Sequence, residues 1–372
     1  MCGLSCHRAA DQRDRYGAGV RVVYSPEHRR HDPRCEIQTG EAVSPIESPA
    51  RAEAIRRVLD ADPAFQLTLP TQHGTAPLTA VHDADYLAFL ERCWDDWAHA
   101  LPRQRQAIPD SFPNPALRAG MGPGRVPSGA IARLSFYAFD TATVVVPGTY
   151  AAARAAADVA LTATDLVLAG DPVAYALCRP PGHHAPRAAF GGYCFLNNAA
   201  IAAEHARRAG AERVAILDVD YHHGNGTQQI FYERPDVLYV SLHGDPDRAY
   251  PYFAGFVDEC GAGFGTGATC NFPLGEGCDD ATFLAELGRA LDMVESFDPD
   301  VVVVSLGVDT YGPDPLSDLA VTDDLFHPAG VAVAGLDLPL IIVQEGGYAV
   351  DVMGLLVQQF LRGSARLPAV GS

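Results

Sequence analysis

The hydrophobic positions of this 372-residue chain fall into short continuous runs and not into long alternating patterns. Apolar, β-branched runs bounded by turn residues are typical of strands that are buried on both faces of a parallel sheet. Six such runs are found, at 20–24, 174–178, 214–219, 237–242, 301–306 and 340–344. The segments between them carry the spacing of amphipathic helices, at 49–61, 85–100, 150–164, 198–209, 280–296 and 351–362.

The alternation of strands and helices predicts an α/β fold, with an open, mainly parallel sheet and helices on both faces. No internal repeat or linker divides the chain, so we expect one domain over residues 20–367 behind a flexible polar tail at 1–19. Residues 101–129 break the pattern because they are rich in Pro, Gly and Arg and show no periodicity. A loop of this length is usually functional or disordered, so the segment is either a flexible surface loop or, as we expect, a substrate-gating or subunit-contacting loop.

Composition excludes several classes of protein. The nine cysteines are odd in number and lack a repeated spacing, which argues for a reducing compartment and predicts a cytoplasmic protein. The net charge of -19 disfavours binding to nucleic acid or anionic membranes, and no apolar stretch is long enough to span a bilayer. All 27 basic residues are Arg, so chemistry that requires a lysine, such as Schiff-base formation or a phosphate-binding P-loop, is excluded.

Ionisable and polar side chains follow four of the predicted strands at their carboxyl ends, where open α/β sheets bind ligands. In chain order these side chains are His183 and His184, Asp220 and His222, Asp309, and Tyr348. Their recurrence at four strand ends predicts a catalytic site.

Three of these residues have the chemistry of a metal site. Asp220 and His222 are two positions apart and point the same way beyond their strand, and Asp309 follows another strand. Two carboxylates and one imidazole match a catalytic Zn²⁺ site, which has three protein ligands and one open position. The oxygen-rich set also suits Fe²⁺ or Co²⁺. The pattern predicts metal-assisted hydrolysis.

The remaining residues supply proton transfer and charge stabilisation. His183 and His184 are candidates for the general base and acid. Asp218 and Asn225 are candidates for the partners that fix the histidine tautomers. Tyr348 follows a Gly-Gly turn and can donate its hydroxyl to a developing oxyanion.

Several motifs together resemble the histone-deacetylase-like amidohydrolases. They are RPPGHHA at 179–185, GGYCFLNN at 191–198, DVDYHHGNGT at 218–227, SLGVD at 305–309 and QEGGY at 344–348. Asn225, the QEGGY run and SLHGDP at 241–246 resemble the bacterial acetylpolyamine amidohydrolase branch. The resemblance covers nearly all of the predicted domain.

The resemblance implies the arginase/deacetylase fold and one catalytic zinc on the three ligands named above. It implies that His184 acts as general base and then as acid, that His183 is its electrostatic partner, and that Tyr348 polarises the amide carbonyl. It also implies a homodimer and a structural K⁺. The potassium ligands implied are Asp218, Asp220, His222, Ser241 and Leu242.

The resemblance further implies a narrow substrate channel walled by Gly192, Tyr193 and Tyr250. One position departs from the acetylpolyamine pattern, because the glutamate that reads the distal ammonium of the substrate aligns with Ile131. We therefore expect amide hydrolysis with weak selectivity for polyamines.

The related two-metal hydrolases of guanidino compounds need further carboxylates at the positions of Gly224 and Gly307, so a single metal ion is favoured.

Three functions are compatible with the sequence. The first is removal of an acetyl or other acyl group from a small N-acetylated amine such as an acetylpolyamine. The second is deacylation of protein acetyl-lysine or of a natural-product intermediate. The third is binding of an acyl amine without catalysis, which the histidine pair and Tyr348 argue against because binding needs no general base.

Overall fold

A computed structural model describes residues 19–122 and 124–370 of the chain. The predicted tail therefore lies outside the described residues up to position 18. The described strands form one large sheet and one small hairpin. They are β1 Val20–Tyr24, β2 Glu36–Gln38, β3 Glu41–Val43, β4 Phe65–Thr68, β5 Val173–Leu177, β6 Val214–Asp218, β7 Val237–Gly244, β8 Thr269–Leu274, β9 Val301–Leu306 and β10 Leu340–Gln344.

The described α-helices connect these strands. They are α1 Pro49–Asp60, α2 Ala76–Thr79, α3 Ala84–Ala100, α4 Ala130–Tyr137, α5 Thr149–Leu168, α6 Asn198–Arg208, α7 Asn225–Phe231, α8 Asp280–Phe297, α9 Phe326–Ala334 and α10 Val350–Ser364. Short 3₁₀ turns occur at Pro26–Arg30, Pro115–Arg118, Gly263–Gly265 and Asp323–Leu325. Within the described ranges, no helix is long and apolar enough to cross a membrane.

The large sheet has eight strands in the order β4-β1-β5-β10-β9-β6-β7-β8, and every pairing is parallel. The α/β fold predicted from the sequence is confirmed. The four strands whose carboxyl ends carry the candidate residues, β5, β10, β9 and β6, are neighbours in this order. The topology therefore gathers residues that are far apart in the chain at one edge of the sheet.

The sheet separates two hydrophobic cores. Along β6, Val214 and Ile216 pack into one core, and Ala215 and Leu217 pack into the other. Because successive side chains of a strand point to opposite faces, a strand covered on both sides must be apolar at every position. This requirement explains the continuous apolar runs of the sequence.

The six predicted strands and six predicted helices are all present, with bounds within four residues of those predicted. The two edge strands of the sheet, β4 and β8, were missed because they lack a continuous apolar run. Pro273 within β8 argues against a strand by propensity, but an edge strand tolerates proline because one side of it needs no hydrogen bonds.

The segment 101–129 is less irregular than its sequence indicates. Ala107 forms a bridge with Val145, and the Gln106 side chain donates a hydrogen bond to the carbonyl of Cys35. Two large apolar side chains, Leu117 and Met121, nevertheless remain 76% and 66% exposed. The segment thus presents apolar surface to its surroundings, which is compatible with the predicted role in subunit contact.

Candidate active site

The three predicted metal ligands meet at the carboxyl edge of β6 and β9. The ligand atoms of Asp220, His222 and Asp309 all lie within 4.8 Å of one another. His222 Nδ1 lies 3.0 Å from Asp309 Oδ2 and 3.3 Å from Asp220 Oδ1. Both carboxylates are fully buried. Two buried carboxylates this close are costly unless a cation neutralises them, so the donor set fits a divalent ion.

Glycines pack directly against these ligands. A Cβ atom on Gly307 would lie 2.0 Å from Asp220 Oδ2, and one on Gly346 would lie 2.2 Å from Asp309 Oδ2. A Cβ on Gly224 would lie 2.4 Å from Asp218 Oδ2. These contacts leave no room for a side chain at Gly224 or Gly307, where a second metal ion would need its carboxylates. The geometry favours a single catalytic ion.

His184 and His183 lie side by side, with ring centroids 4.1 Å apart. His184 Nδ1 lies 2.7 Å from Asn225 Oδ1 at the start of α7. Because an amide oxygen only accepts, the hydrogen resides on Nδ1, and Nε2 keeps the lone pair of a base. His183 Nδ1 lies 3.1 Å from Asp218 Oδ2 and donates to that carboxylate.

The two imidazoles have opposite electrostatic surroundings. Burial, reinforced by His183 and His222, holds the pKa of His184 well below its ordinary value. Burial also acts to lower the pKa of His183, but the carboxylates of Asp220 and Asp218 outweigh it and raise this pKa to about 10. His184 is therefore the neutral member of the pair near pH 7, and His183 is the cationic one.

Tyr348 follows β10 and is held from two directions. The Asp314 carboxylate accepts hydrogen bonds from the backbone N–H groups of Tyr348 and Ala349, at 2.6 and 2.9 Å. The guanidinium carbon of Arg51 lies 4.6 Å from the centroid of the tyrosine ring. Burial raises the pKa of Tyr348 well above its ordinary value although Arg51 opposes the shift, so the side chain remains a phenol that can donate a hydrogen bond.

Arg51 contacts Tyr348 and the turn before it, and the sequence did not reveal it. Its buried guanidinium donates to the carbonyls of Gly347 (2.5 Å) and Glu345 (2.7 Å) and pairs with Glu47 at 2.9 Å. Glu47 also pairs with the buried Arg179 at 2.7 Å, and these arginines hold the pKa of Glu47 at about 2 against the opposing effect of burial. Arg51 belongs to an arginine-rich helix, and nothing in its local pattern distinguishes it from solvent-facing arginines.

Glu345 positions the histidine loop. Its Oε2 atom accepts the backbone N–H groups of Gly182 and His183, at 2.6 and 3.1 Å. Burial raises the pKa of this carboxyl group to about 7, although His183 acts to lower it. Glu345 lies in the QEGGY motif, but only the structure indicates its role.

A cavity of about 330 Å³ leads from the surface to His184, His222 and Tyr348. Its other lining residues are Ile37, Gln38, Thr39, Asp140, Thr141, Ala142, Gly192, Tyr193, Tyr221, Arg248, Ala249, Tyr250, Tyr252 and Leu316. Gly192, Tyr193 and Tyr250, which the sequence predicted as channel walls, are among these lining residues. Gly192 has φ +56°, and a Cβ on it would lie 2.2 Å from the His184 ring, so only glycine fits there.

The outer part of the cavity contains determinants that the sequence did not indicate. The β2–β3 hairpin contributes Glu36 and Gln38, and both side chains hydrogen-bond to the Tyr193 hydroxyl. Asp140 accepts hydrogen bonds from the Tyr250 hydroxyl, at 2.9 Å, and from the backbone of Gly192. These polar residues hold the aromatic walls in position.

Ile131 and the potassium ligands were predicted from the family resemblance alone. Ile131 lies in the first turn of α4, 41% exposed, and it is not among the lining residues of the cavity, so its role at the rim remains a prediction. Asp218 and Ser241, two of the predicted potassium ligands, are fully buried and face each other in the β6–β7 register, one residue before Leu242.

Comparison with known proteins identifies the class. The family model of the histone deacetylase domain matches residues 45–364 of this chain. The chain therefore belongs to the histone deacetylase family and is a metal-dependent deacetylase, a hydrolase of amide bonds, as the sequence predicted.

Individual relatives narrow the comparison. The chain is 42% identical over 346 residues to the acetylpolyamine amidohydrolase of Mycoplana ramosa. The alignment covers 93% of this chain and all of that protein. The crystal structure of acetylpolyamine aminohydrolase from Burkholderia pseudomallei superposes with a TM-score of 0.87 at 42% identity, over 93% of this chain and 98% of that one. The crystal structure of the HDA15 HD domain superposes with a TM-score of 0.76 at 25% identity, over 95% of this chain and 90% of that one. These similarities confirm the arginase/deacetylase fold and the predicted branch.

Proposed function

We propose that this protein is a zinc-dependent amidohydrolase that removes the acetyl group from small N-acetylated amines, including acetylpolyamines. The observation that carries the proposal is the group of side chains at the inner end of the cavity. There, His184 with a free Nε2 atom and the Tyr348 phenol line the same space as His222, a member of the buried ligand trio. The names of the relatives support acetylpolyamines as substrates.

Asp220, His222 and Asp309 would hold the zinc. When bound, the ion acts as a Lewis acid toward the amide carbonyl and lowers the pKa of water. Fe²⁺ or Co²⁺ could take its place on this oxygen-rich donor set. Asp218, His222, Ser241 and the neighbouring carbonyls of Asp220 and Leu242 would hold a structural K⁺.

The protein's own groups account for proton movement. His184 Nε2 accepts a proton from the attacking water as that water adds to the carbonyl carbon. The Tyr348 hydroxyl donates a hydrogen bond to the carbonyl oxygen as negative charge develops there. His184 then returns the proton to the leaving nitrogen, the carbon–nitrogen bond breaks, and acetic acid and the amine result, which near pH 7 ionise to acetate and the ammonium form. His183 lies beside His184 and donates a hydrogen bond to Asp218, so it is placed to tune the proton affinity of His184.

The residues that line the cavity indicate how strongly the enzyme prefers a substrate with a distal ammonium group. Two tyrosine walls admit a slim aliphatic chain. Asp140 is the one carboxylate among the lining residues that the structure describes, and it is already engaged by Tyr250 and Gly192. Arg248 adds a positive charge to the lining, although it is paired with Asp318. We therefore expect only weak preference for a substrate with a distal ammonium group.

A matched substrate pair tests this proposal. N-acetylputrescine and N-butylacetamide share the acetamide and the four-carbon chain, but only the first carries an ammonium group. We expect the zinc-loaded enzyme to release acetate from both with kcat/KM values within about tenfold, because an exposed ion pair contributes only about 0.2–1 kcal/mol. A preference of more than a hundredfold for N-acetylputrescine would show that the rim reads the ammonium. Turnover of an acetyl-lysine peptide with neither small amide hydrolysed would refute the small-amine assignment.

The assembly and location of the protein remain predictions. We propose a homodimer in which residues 101–129 contribute to the contact, supported by the exposed Leu117 and Met121. We also propose a cytoplasmic location, supported by the odd number of cysteines in the sequence.

A further inference from the structure

A second group of candidate metal ligands lies apart from the active site. It consists of His73 in the segment between β4 and α2, Asp165 in α5, and His205 in the last turn of α6. Their ligand atoms all lie within 4.8 Å of one another. His205 Nε2 lies 2.8 Å from Asp165 Oδ1, and His73 Nε2 lies 3.8 Å from Asp165 Oδ2. Each carboxylate oxygen therefore faces one imidazole.

His73 is held in a conformation that suits coordination. Its side chain is only 12% exposed, and its backbone N–H donates to Asp158 Oδ1 at 3.1 Å. The rings of His73 and His205 are nearly perpendicular, with an interplanar angle of 81° and centroids 5.8 Å apart. The rings therefore do not stack, and both Nε2 atoms face the same carboxylate. Burial lowers the pKa of His73, which favours the neutral imidazole that binds metal.

The charge around the group also permits a cation. Arg154, a cationic side chain near His73, is paired with Asp158 at 3.1 Å. The hydroxyls of Thr71 and Thr162 are hydrogen-bond partners of His73 Nε2, at 3.0 and 3.2 Å, and a bound ion would replace these hydrogen bonds. Asp165 is 49% exposed, so its carboxylate can rotate to admit an ion, and water can fill the remaining position.

We propose that His73, Asp165 and His205 form a second metal site that binds a divalent transition ion such as Zn²⁺ or Co²⁺. Two imidazoles and one carboxylate suit these metals, whereas a hard ion such as Mg²⁺ prefers oxygen alone. Because only three protein ligands are available and the site opens to solvent, we expect weaker binding than in the active site.

The position of this site indicates a structural role. α5 ends at Leu168, shortly before β5 begins at Val173, and α6 ends at Arg208, shortly before β6 begins at Val214. Asp165 and His205 therefore lie near the amino ends of the strands, at the edge of the sheet opposite the one that carries the active site. A metal ion there would join α5, α6 and the segment that holds His73, and would stabilise the fold without contacting the substrate.

Cobalt binding to the full chain tests the second site. In metal-stripped Asp309→Ala protein, in which the active site lacks one ligand, Co²⁺ titrated alone should produce visible absorption bands from a bound ion. The added substitution His205→Ala should remove one Co²⁺ per chain. The control His99→Ala, which changes an exposed histidine in α3, should remove none. Equal cobalt binding with and without His205→Ala would overturn the proposal.

A second measurement separates metal binding from misfolding. With the active site filled by zinc, excess Zn²⁺ should raise the unfolding temperature of the otherwise unaltered protein by several degrees, since a ligand that binds only the folded state stabilises it. Asp165→Asn, which keeps the side-chain shape, should lose this rise and retain the deacetylase kcat. If the rise persisted in Asp165→Asn, or if the unaltered protein showed none, the second site would be refuted.

Discussion

Replacing Tyr348 by phenylalanine removes the hydroxyl that we assign to oxyanion stabilisation and leaves the ring in place. The ring keeps its contact with the Arg51 guanidinium at 4.6 Å, and the backbone keeps its two hydrogen bonds to Asp314. The fold and the metal ligands should therefore be unaffected. Removal of one oxyanion donor typically costs 10²–10³ in kcat, about 2.7–4 kcal/mol. We expect a loss of this size in kcat, with little change in KM, because the hydroxyl is assigned to the negative charge that develops only in the transition state.

The assay is steady-state acetate release from N-acetylputrescine by zinc-loaded protein, with zinc content measured on the same sample. Tyr193→Phe is the matched control, because its hydroxyl is bound to Glu36 and Gln38 at the outer hairpin and not directed at the reacting carbonyl. We expect that control to lose less than about tenfold in kcat, as for a positioning hydrogen bond. A Tyr348→Phe enzyme that keeps near wild-type kcat at full zinc content would refute the assigned role.

Three further predictions concern proton transfer, acid stability and assembly. Asn225→Asp places a carboxylate beside His184 and should raise its pKa, so the acidic limb of the kcat/KM profile should move to higher pH; an unmoved limb would contradict the role of His184 as base. Burial lowers the pKa of His82 to about 4, so the unfolded chain binds one more proton between pH 6.5 and 4, and stability falls as the pH falls through this window. In urea unfolding, His82→Gln should reduce this pH slope by up to about 1.4 kcal/mol per pH unit, and an unchanged slope would show that His82 does not titrate there. Leu117→Ser should weaken the dimer in sedimentation experiments, whereas a fully active monomeric wild-type enzyme would refute a contact through 101–129.

The sequence predicted the central strands of the fold because burial on both faces imposes an unmistakable pattern. β6, β9 and β10 each carry a run of four consecutive apolar residues and were recognised, whereas β4 and β8 lie at the edges of the sheet and need no such pattern. Edge strands are specified by their neighbours in space, which a local pattern does not contain.

The candidate site was predictable for a related reason. Ligands on a parallel sheet must follow strand ends, so Asp220, His222 and Asp309 could be found from position alone. Arg51 and Asp140 could not, because each acts through contacts with residues distant in the chain, the first on Tyr348 and the second on Tyr250. Such contacts require the folded structure.

The claim that one ion on Asp220, His222 and Asp309 supports hydrolysis is tested most directly by titrating activity against zinc. The titration is best made with metal-stripped His205→Ala protein, in which the proposed second site is absent, and with N-acetylputrescine as substrate. We predict that acetate release rises linearly and reaches its maximum at one Zn²⁺ per chain, and that Asp309→Ala in the same background shows neither tight zinc binding nor turnover. Full turnover by the metal-free protein, or a maximum only at two ions per chain, would contradict the account.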